Sequence, residues 1–168
     1  MNIRQAKMAD IGEIMRIYDI ARQTMRERGN NSQWVDGYPS TEVVAADIAA
    51  CNSYVIEEDG IIHAAFMFEA GVDPTYVHID GAWPDDAPYG VIHRVGFDGV
   101  LRGVMHAITA FASARIDHLR ADTHEDNHTM RAVLLKEGFV YCGVIHRAED
   151  GATRLAYALT VPAENGHR

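Results

Sequence analysis

A chain of 168 residues with 48% hydrophobic and 23% charged residues is long enough for one domain with a substantial core, and neither disorder nor a second domain is indicated. Its 24 acidic residues against 15 Lys and Arg leave a net charge of -9, a field that repels phosphate backbones and argues against nucleic acid as a partner. The two cysteines make no disulfide framework, no charged-then-apolar leader opens the sequence, and no apolar run approaches the roughly 20 residues of a membrane span, so the cytoplasm and no membrane contact are expected.

In chain order, "NIRQA" reads as a short strand. From Met8 onward Ile11, Ile14, Met15, Tyr18, Ala21 and Met25 recur at helical spacing, which predicts a first helix beginning at Ala9 or Asp10. "RGNNSQWVDGYPS" has no period and reads as a loop, with Ser40 as the N-cap of a second helix reaching about Ala50. Two strands turned at Asp59-Gly60 follow, then a long connection holding three of the five prolines. "VIHRVGF" is a strand and "GVLRGVMHAITAFASARI" a helix; "HLRADT" is another strand, followed by a helix from about Asn127 to Glu137 that Gly138 ends. "FVYCGVIH" and "TRLAYALT" are the last two strands.

The order β-αα-βββ-α-β-α-ββ predicts an α+β fold with a mixed, seven-stranded sheet and helices on both faces. Residues 1–162 read as this one domain and 163–168 as a short polar tail. Strict alternation along "VIHRVGF" puts His93, Val95 and Phe97 on one face and Ile92, Arg94 and Gly96 on the other.

The densest polar cluster is "DTHEDNH". His124, Glu125, Asp126 and His128 could ligate zinc, but their spacing only hints at a ligand set, and no metal is expected. The better reading is a helix cap in which Asp126 and Asn127 accept the free N–H groups of the first turn.

The element order, the spacing Asn127-x-x-Met130-x-x-Val133-x-x-x-x-Gly138-Phe139 and the strand–Arg-Gly–helix unit before it resemble the GNAT superfamily of acetyl-CoA-dependent N-acetyltransferases over nearly the whole chain. "QWVDGYPS", "DPTY", "YGVIHR" and "EGFVYCGVI" are similar to a bacterial group within it. The resemblance implies acetyl-CoA as co-substrate. Its pyrophosphate would be held by main-chain N–H groups at Arg102, Gly103, Val104, Met105 and Ala107, its thioester carbonyl near Val95 and Phe97, and its pantetheine arm by Asn127. Met105 stands where the family motif has its central glycine, so its side chain is expected to crowd the phosphate approach.

The family's usual general acid, a tyrosine, falls on Leu134, which has no proton to give. Tyr141 or Tyr157 on the last strands is the expected substitute. His93 is the expected base for an incoming amine, as an imidazole can accept that proton directly or through water. The aromatics Trp34, Tyr38, Tyr76 and Trp83 fall in the two loops that would border the acceptor cleft, with His124 beside them, and loops on a rigid scaffold often carry recognition. The acceptor is expected to be a small-molecule or peptide amine, and a homodimer is compatible with this reading. Met105 and Leu134 motivate an alternative, a non-catalytic acyl-CoA or metabolite-binding module on the same fold. If a cofactor enters the sheet, the strands "VIHRVGF" and "HLRADT" must part along their length.

Overall fold

Buried Ile14, Ile17, Tyr18 and Ala21 recur at i, i+3, i+4 and i+7 and make one apolar stripe on helix α1 (Ile11–Glu27). That stripe and α2 (Thr41–Ala49) cover one face of a sheet in the computed structural model, which describes residues 1–162. The polar tail expected at 163–168 lies outside the described residues. Ser40 caps α2 as expected, its hydroxyl accepting the N–H of Val43 at 3.2 Å. The other face carries α3 (Val104–Ser113) and α4 (His128–Lys136) over a core that includes Phe66, Phe68, Ile108, Leu119 and Leu134.

The strands are β1 (Asn2–Gln5), β2 (Ser53–Glu58), β3 (Ile61–Ala70), β4 (Asp80–Gly81), β5 (Gly90–Phe97), β6 (His118–Thr123), β7 (Val140–His146) and β8 (Thr153–Thr160). They form one sheet in the order β1-β2-β3-β5-β6-β8-β7-β4. Eight strands stand where seven were expected. The addition is β4, a two-residue strand on the edge of β7. Gly81 and Gly143 face each other there at φ 141 and 142, and a β-carbon on either would strike the carbonyl of Cys142 or Asp80. Contact that close needs glycine on both sides.

Every pairing is antiparallel except β5 with β6, which joins Gly90 to Leu119, Val91 to Arg120 and Ile92 to Ala121 and then stops. The parting follows from a bulge. Ala65 of β3 faces Gly96, but Met67 faces His93, so β5 carries extra chain opposite Phe66. Arg94 takes up the extra length at φ 50, a left-handed conformation that costs a non-glycine residue on the order of 1–3 kcal/mol.

Three partners hold it. Both ends of the Arg94 guanidinium grip Asp47 of α2 at 2.8 and 2.7 Å, the Tyr38 hydroxyl accepts from it at 3.0 Å, and Tyr18 of α1 donates to the Arg94 carbonyl at 2.8 Å. Replacing Asp47 with alanine strands a largely buried guanidinium and leaves the strained residue unsupported. The expected loss is about 3 kcal/mol in urea denaturation, typical of breaking one side of a buried pair; a loss below about 1 kcal/mol would show that the bulge is held by other means.

Candidate functional site

The bulge overturns the alternation expected along β5. Ile92, Val95 and Phe97 all pack on the core beneath α3 and α4, whereas His93 and Arg94 both line the same cavity on the other side. One additional residue turns every later side chain to the opposite face. His93 therefore stands apart from Val95 and Phe97, across the gap between β5 and β6.

His93 lies between two carboxylates. Asp73, in the connection before β5, receives a hydrogen bond from Nε2 at 2.8 Å, and Asp122 of β6 has Oδ2 3.5 Å from Nδ1. A carboxylate only accepts, so the proton of a neutral ring sits on Nε2 and the lone pair is on Nδ1. Burial alone would raise the Asp73 carboxyl, but hydrogen bonds from His93 and from the Thr75 N–H hold it below the ordinary range. Asp122 is fixed in turn by the Tyr76 hydroxyl at 2.6 Å, and burial followed by the Asp122 charge keeps that phenol protonated. The imidazole is thus oriented by one carboxylate and presents its acceptor nitrogen beside another.

A neck of about 40 Å³ opens where the strands part, lined by His93, Asp122, Val95, Met105, Asn127 and Leu134 among others. On one side of it lies a groove of about 350 Å³ between the end of α1, the second half of β5 and the start of α4, with Val95, Phe97 and Asn127 in its wall. Asn127 is the N-cap of α4, its Oδ1 accepting the Met130 N–H at 3.1 Å and its Nδ2 donating to Gln33 at 3.1 Å. Asp126 does not share the cap. Its own N–H instead donates to His124 Nδ1 at 3.0 Å. Among the described residues no group of three His, Cys, Asp or Glu side chains is placed to hold a metal ion.

The start of α3 suits a phosphate. Gly103 is the N-cap at φ 72, nothing lies near the site of its missing β-carbon, and no side chain caps the first-turn N–H groups. The crowding expected of Met105 does not arise, because its side chain is 5% exposed and packs inward on the core. Arg102 is exposed, Val104 is buried and Ala107 lies between. The helix end can approach a diphosphate without the motif's central glycine.

On the other side of the neck is a cavity of about 100 Å³ that includes Trp34, Tyr38, Asp73, His93 and Asp122 in its walls. His124 lines an adjoining space with Trp34 and Tyr38. Tyr76 and Trp83 instead pack on each other and on Tyr89 behind the cavity; Tyr76 bears on it through its contacts with Asp122 and the His93 ring. Tyr141 and Tyr157 meet edge to face on β7 and β8, away from His93, and line none of these cavities. In the connection before β5, Asp80 pairs with His146 and Asp85 with His118, and neither acid lines the neck or the cavity beyond it.

Sequence reasoning passed over Asp73, Asp122, Gln33 and Arg154 as site residues. Gln33 is buried and its side-chain oxygen accepts from both Asn30 and Asn127 at 3.1 Å, tying the loop after α1 to the cap of α4. Period-two alternation in "TRLAYALT" sets Arg154 with Ala156 and Ala158, all three buried, and a charge in that row was a legible sign.

The chain is 32% identical to an acetyltransferase of the GNAT family from Streptococcus agalactiae, with a TM-score of 0.84 over 95% of this chain and 94% of that one. It belongs to the GNAT family of acetyltransferases. At 16% identity and a TM-score of 0.64, a ribosomal-protein-alanine N-acetyltransferase from Brucella melitensis shares the fold over 96% of this chain and all, 100%, of its own. A GNAT-like decarboxylase in complex with isobutyryl-CoA shares it too, at 12% identity, TM-score 0.66, 95% of this chain and 99% of that one. No family model matches the chain, nor does any curated protein.

GNAT membership supports acyl transfer as the general chemistry of this chain, and among the described residues no helix is long and apolar enough to cross a membrane. The Asp73–His93 pair has its own pH signature. The Asp73 carboxyl is lowered in the fold, so its contribution is complete above the unfolded value of 3.8 and is lost as pH falls through the lower folded one. Asp73→Asn should therefore be less stable than the parent at pH 6, with the gap closing below about pH 4. Parallel denaturation curves at every pH would mean that the pair carries no such linkage.

Proposed function

We propose that this chain is an acetyl-CoA-dependent N-acetyltransferase that transfers the acetyl group to a primary amine of a small molecule or peptide by direct attack. One observation carries the reading: the neck between β5 and β6 links a groove along the second half of β5 and the start of α4 with a cavity in which Asp73 orients His93.

In this reading acetyl-CoA enters from the groove, with its diphosphate at the N–H groups of α3 beside Arg102 and Gly103, and its pantetheine arm along β5 near Asn127. β5 parts from β6 beyond Ile92, and main-chain N–H groups near Val95 and Phe97 take up the charge that builds on the thioester oxygen. The amine nitrogen forms its bond to the carbonyl carbon, its proton passes to Nδ1 of His93 directly or through a water, and the carbon–sulfur bond breaks with the electron pair on sulfur. Asp73 keeps the ring in the accepting tautomer and stabilises the imidazolium that forms, the role of the orienting carboxylate in catalytic triads. Tyr141 and Tyr157 line neither the neck nor the cavities beside it, so water or bulk solvent protonates the thiolate. A second reading, an acyl-CoA-binding module without turnover, draws its support from Leu134, 1% exposed where the family carries its acid.

Acetyl-CoA at about 100 times its dissociation constant should add roughly 2.7 kcal/mol to the folded state and raise Tm by roughly 5–10 °C. No shift at millimolar ligand would remove both readings; a shift without acetylation of any amine would leave the second. Gly103→Val, which forces a β-branched residue to φ 72, should weaken acetyl-CoA binding by about tenfold or more; an unchanged Kd would move the diphosphate elsewhere. His93→Ala should lower kcat by on the order of 10²-fold while leaving the Kd for acetyl-CoA nearly intact, and the ascending limb of the pH profile should disappear. Full activity with an unaltered profile would strip His93 of the base role.

A further inference from the structure

Around the cavity beyond the neck every charged side chain but one has a partner. Arg94 holds Asp47 with two bonds, Arg147 reaches Glu149 at 3.5 Å, Asp73 holds His93, and Asp122 accepts from Tyr76. Arg154 is the exception. It is 7% exposed, and among the described residues no carboxylate lies within ion-pair distance of it. Its recorded hydrogen bond runs from Nη1 to the carbonyl of neighbouring Thr153 at 2.8 Å, which leaves most of the guanidinium fork unused. Burial pushes this group below the ordinary guanidinium range, although an arginine remains charged at neutral pH.

The charges of Asp122 and Asp150 reach it only at a distance, and a buried cation with no counter-ion in contact is costly unless something supplies one. Arg154 lies in the wall between two adjoining spaces, of about 100 and about 570 Å³, that share Trp34, Tyr38 and Arg147 as well. Asp122 pairs with Ala156 across β6 and β8, so Arg154, two residues before Ala156, lies on the diagonal from Asp122, about 7 Å away between β-carbons. A negative charge thus stands at the neck and an unmatched positive charge one step further from it.

We propose that the acceptor is a small amine that also carries a carboxylate, an α-amino acid or a close relative, bound with its carboxylate on Arg154 and its amine beside Asp122 and His93. The planar fork of arginine matches a carboxylate with two parallel bonds, which a lysine cannot reproduce. The aromatic rings of Trp34 and Tyr38 flank the remaining volume and suit an apolar side chain. This inference rests on the acyl-transfer reading, and the two fail in different ways.

The test offers the protein, with acetyl-CoA, the common L-amino acids, each paired with the amine that lacks only the α-carboxylate, such as phenylalanine with phenethylamine. Thiol release and product mass are measured, and binding of the same compounds to the CoA complex is measured by calorimetry. The expected result is a kcat/KM at least about 100-fold higher for the carboxylate-bearing member of the best pair. In Arg154→Gln that ratio should collapse to within about threefold of unity, mostly through KM, and Arg154→Lys should restore only part of it. Should no compound be acetylated while a carboxylate-bearing amine binds the parent and not Arg154→Gln, the anion site stands and the transfer reading falls. Equal turnover, or equal binding, of both members of every pair by the parent protein overturns the inference, and needs no variant to fold.

Discussion

A single left-handed residue decides where this sheet opens. Arg94 absorbs the extra chain in β5, and the pairing with β6 ends at Ile92, two residues before it. Without the bulge the register of the two parallel strands would carry their pairing on to Arg94 and Thr123, and the neck would be filled by a ladder. The same residue fastens α1 through Tyr18, α2 through Asp47 and the intervening loop through Tyr38. The wall of the cavity beyond the neck is therefore bolted to the strand that faces the groove. Backbone strain of this kind survives only where its surroundings over-determine it, and four separate hydrogen bonds on one residue do so here.

Much of the fold was legible because local signals agreed with one another. The helical stripe of α1, the Ser40 and Asn127 caps, the Asp59-Gly60 turn and the element order each stand in the structure close to where periodicity and capping chemistry put them. What escaped was whatever depends on a partner distant in sequence. The bulge is defined by register against β3, and nothing within "VIHRVGF" announces it. Strand β4 exists because two glycines 62 residues apart, Gly81 and Gly143, come into contact. The site was half legible for the same reason. His93 was identified by its residue type, but the carboxylates that orient it come from a Pro-rich connection and from the end of β6.

Met105 shows how a motif read as a string can mislead. The rule that a helix must bring bare backbone to a phosphate concerns the side of the helix that faces the ligand, not a position in a pattern. Here Met105 points its side chain into the core, and the residue at the exposed cap is Gly103. A comparable distinction separates net charge from site charge. The chain's -9 acts over the Debye length, about 8 Å at physiological salt, and discourages polyanions at the surface. It has little hold on Arg154, a residue that is 7% exposed and whose environment is set by neighbours within a few ångström.

Leu134 in place of an acid matters less than its chemistry first suggests. An alkylthiol titrates near 8.5, so a thiolate leaving unprotonated at pH 7.5 forgoes about one pKa unit, roughly 1.4 kcal/mol or tenfold in rate. An alkylammonium titrates near 10, and nitrogen becomes more acidic only once its bond to carbon has begun to form, so removal of its proton is the step that gains most from a positioned group. An apolar wall beside His93 serves that step in the proposed transfer. Leu134 and Met105 are 1% and 5% exposed beside Asp122 and His93, and their low polarity strengthens each hydrogen bond that holds the imidazole. A tyrosine in place of Leu134 would bring a hydroxyl that needs its own partner into this apolar wall. Under the proposed transfer, the site trades an acid it can largely do without for a setting in which His93 is held more firmly.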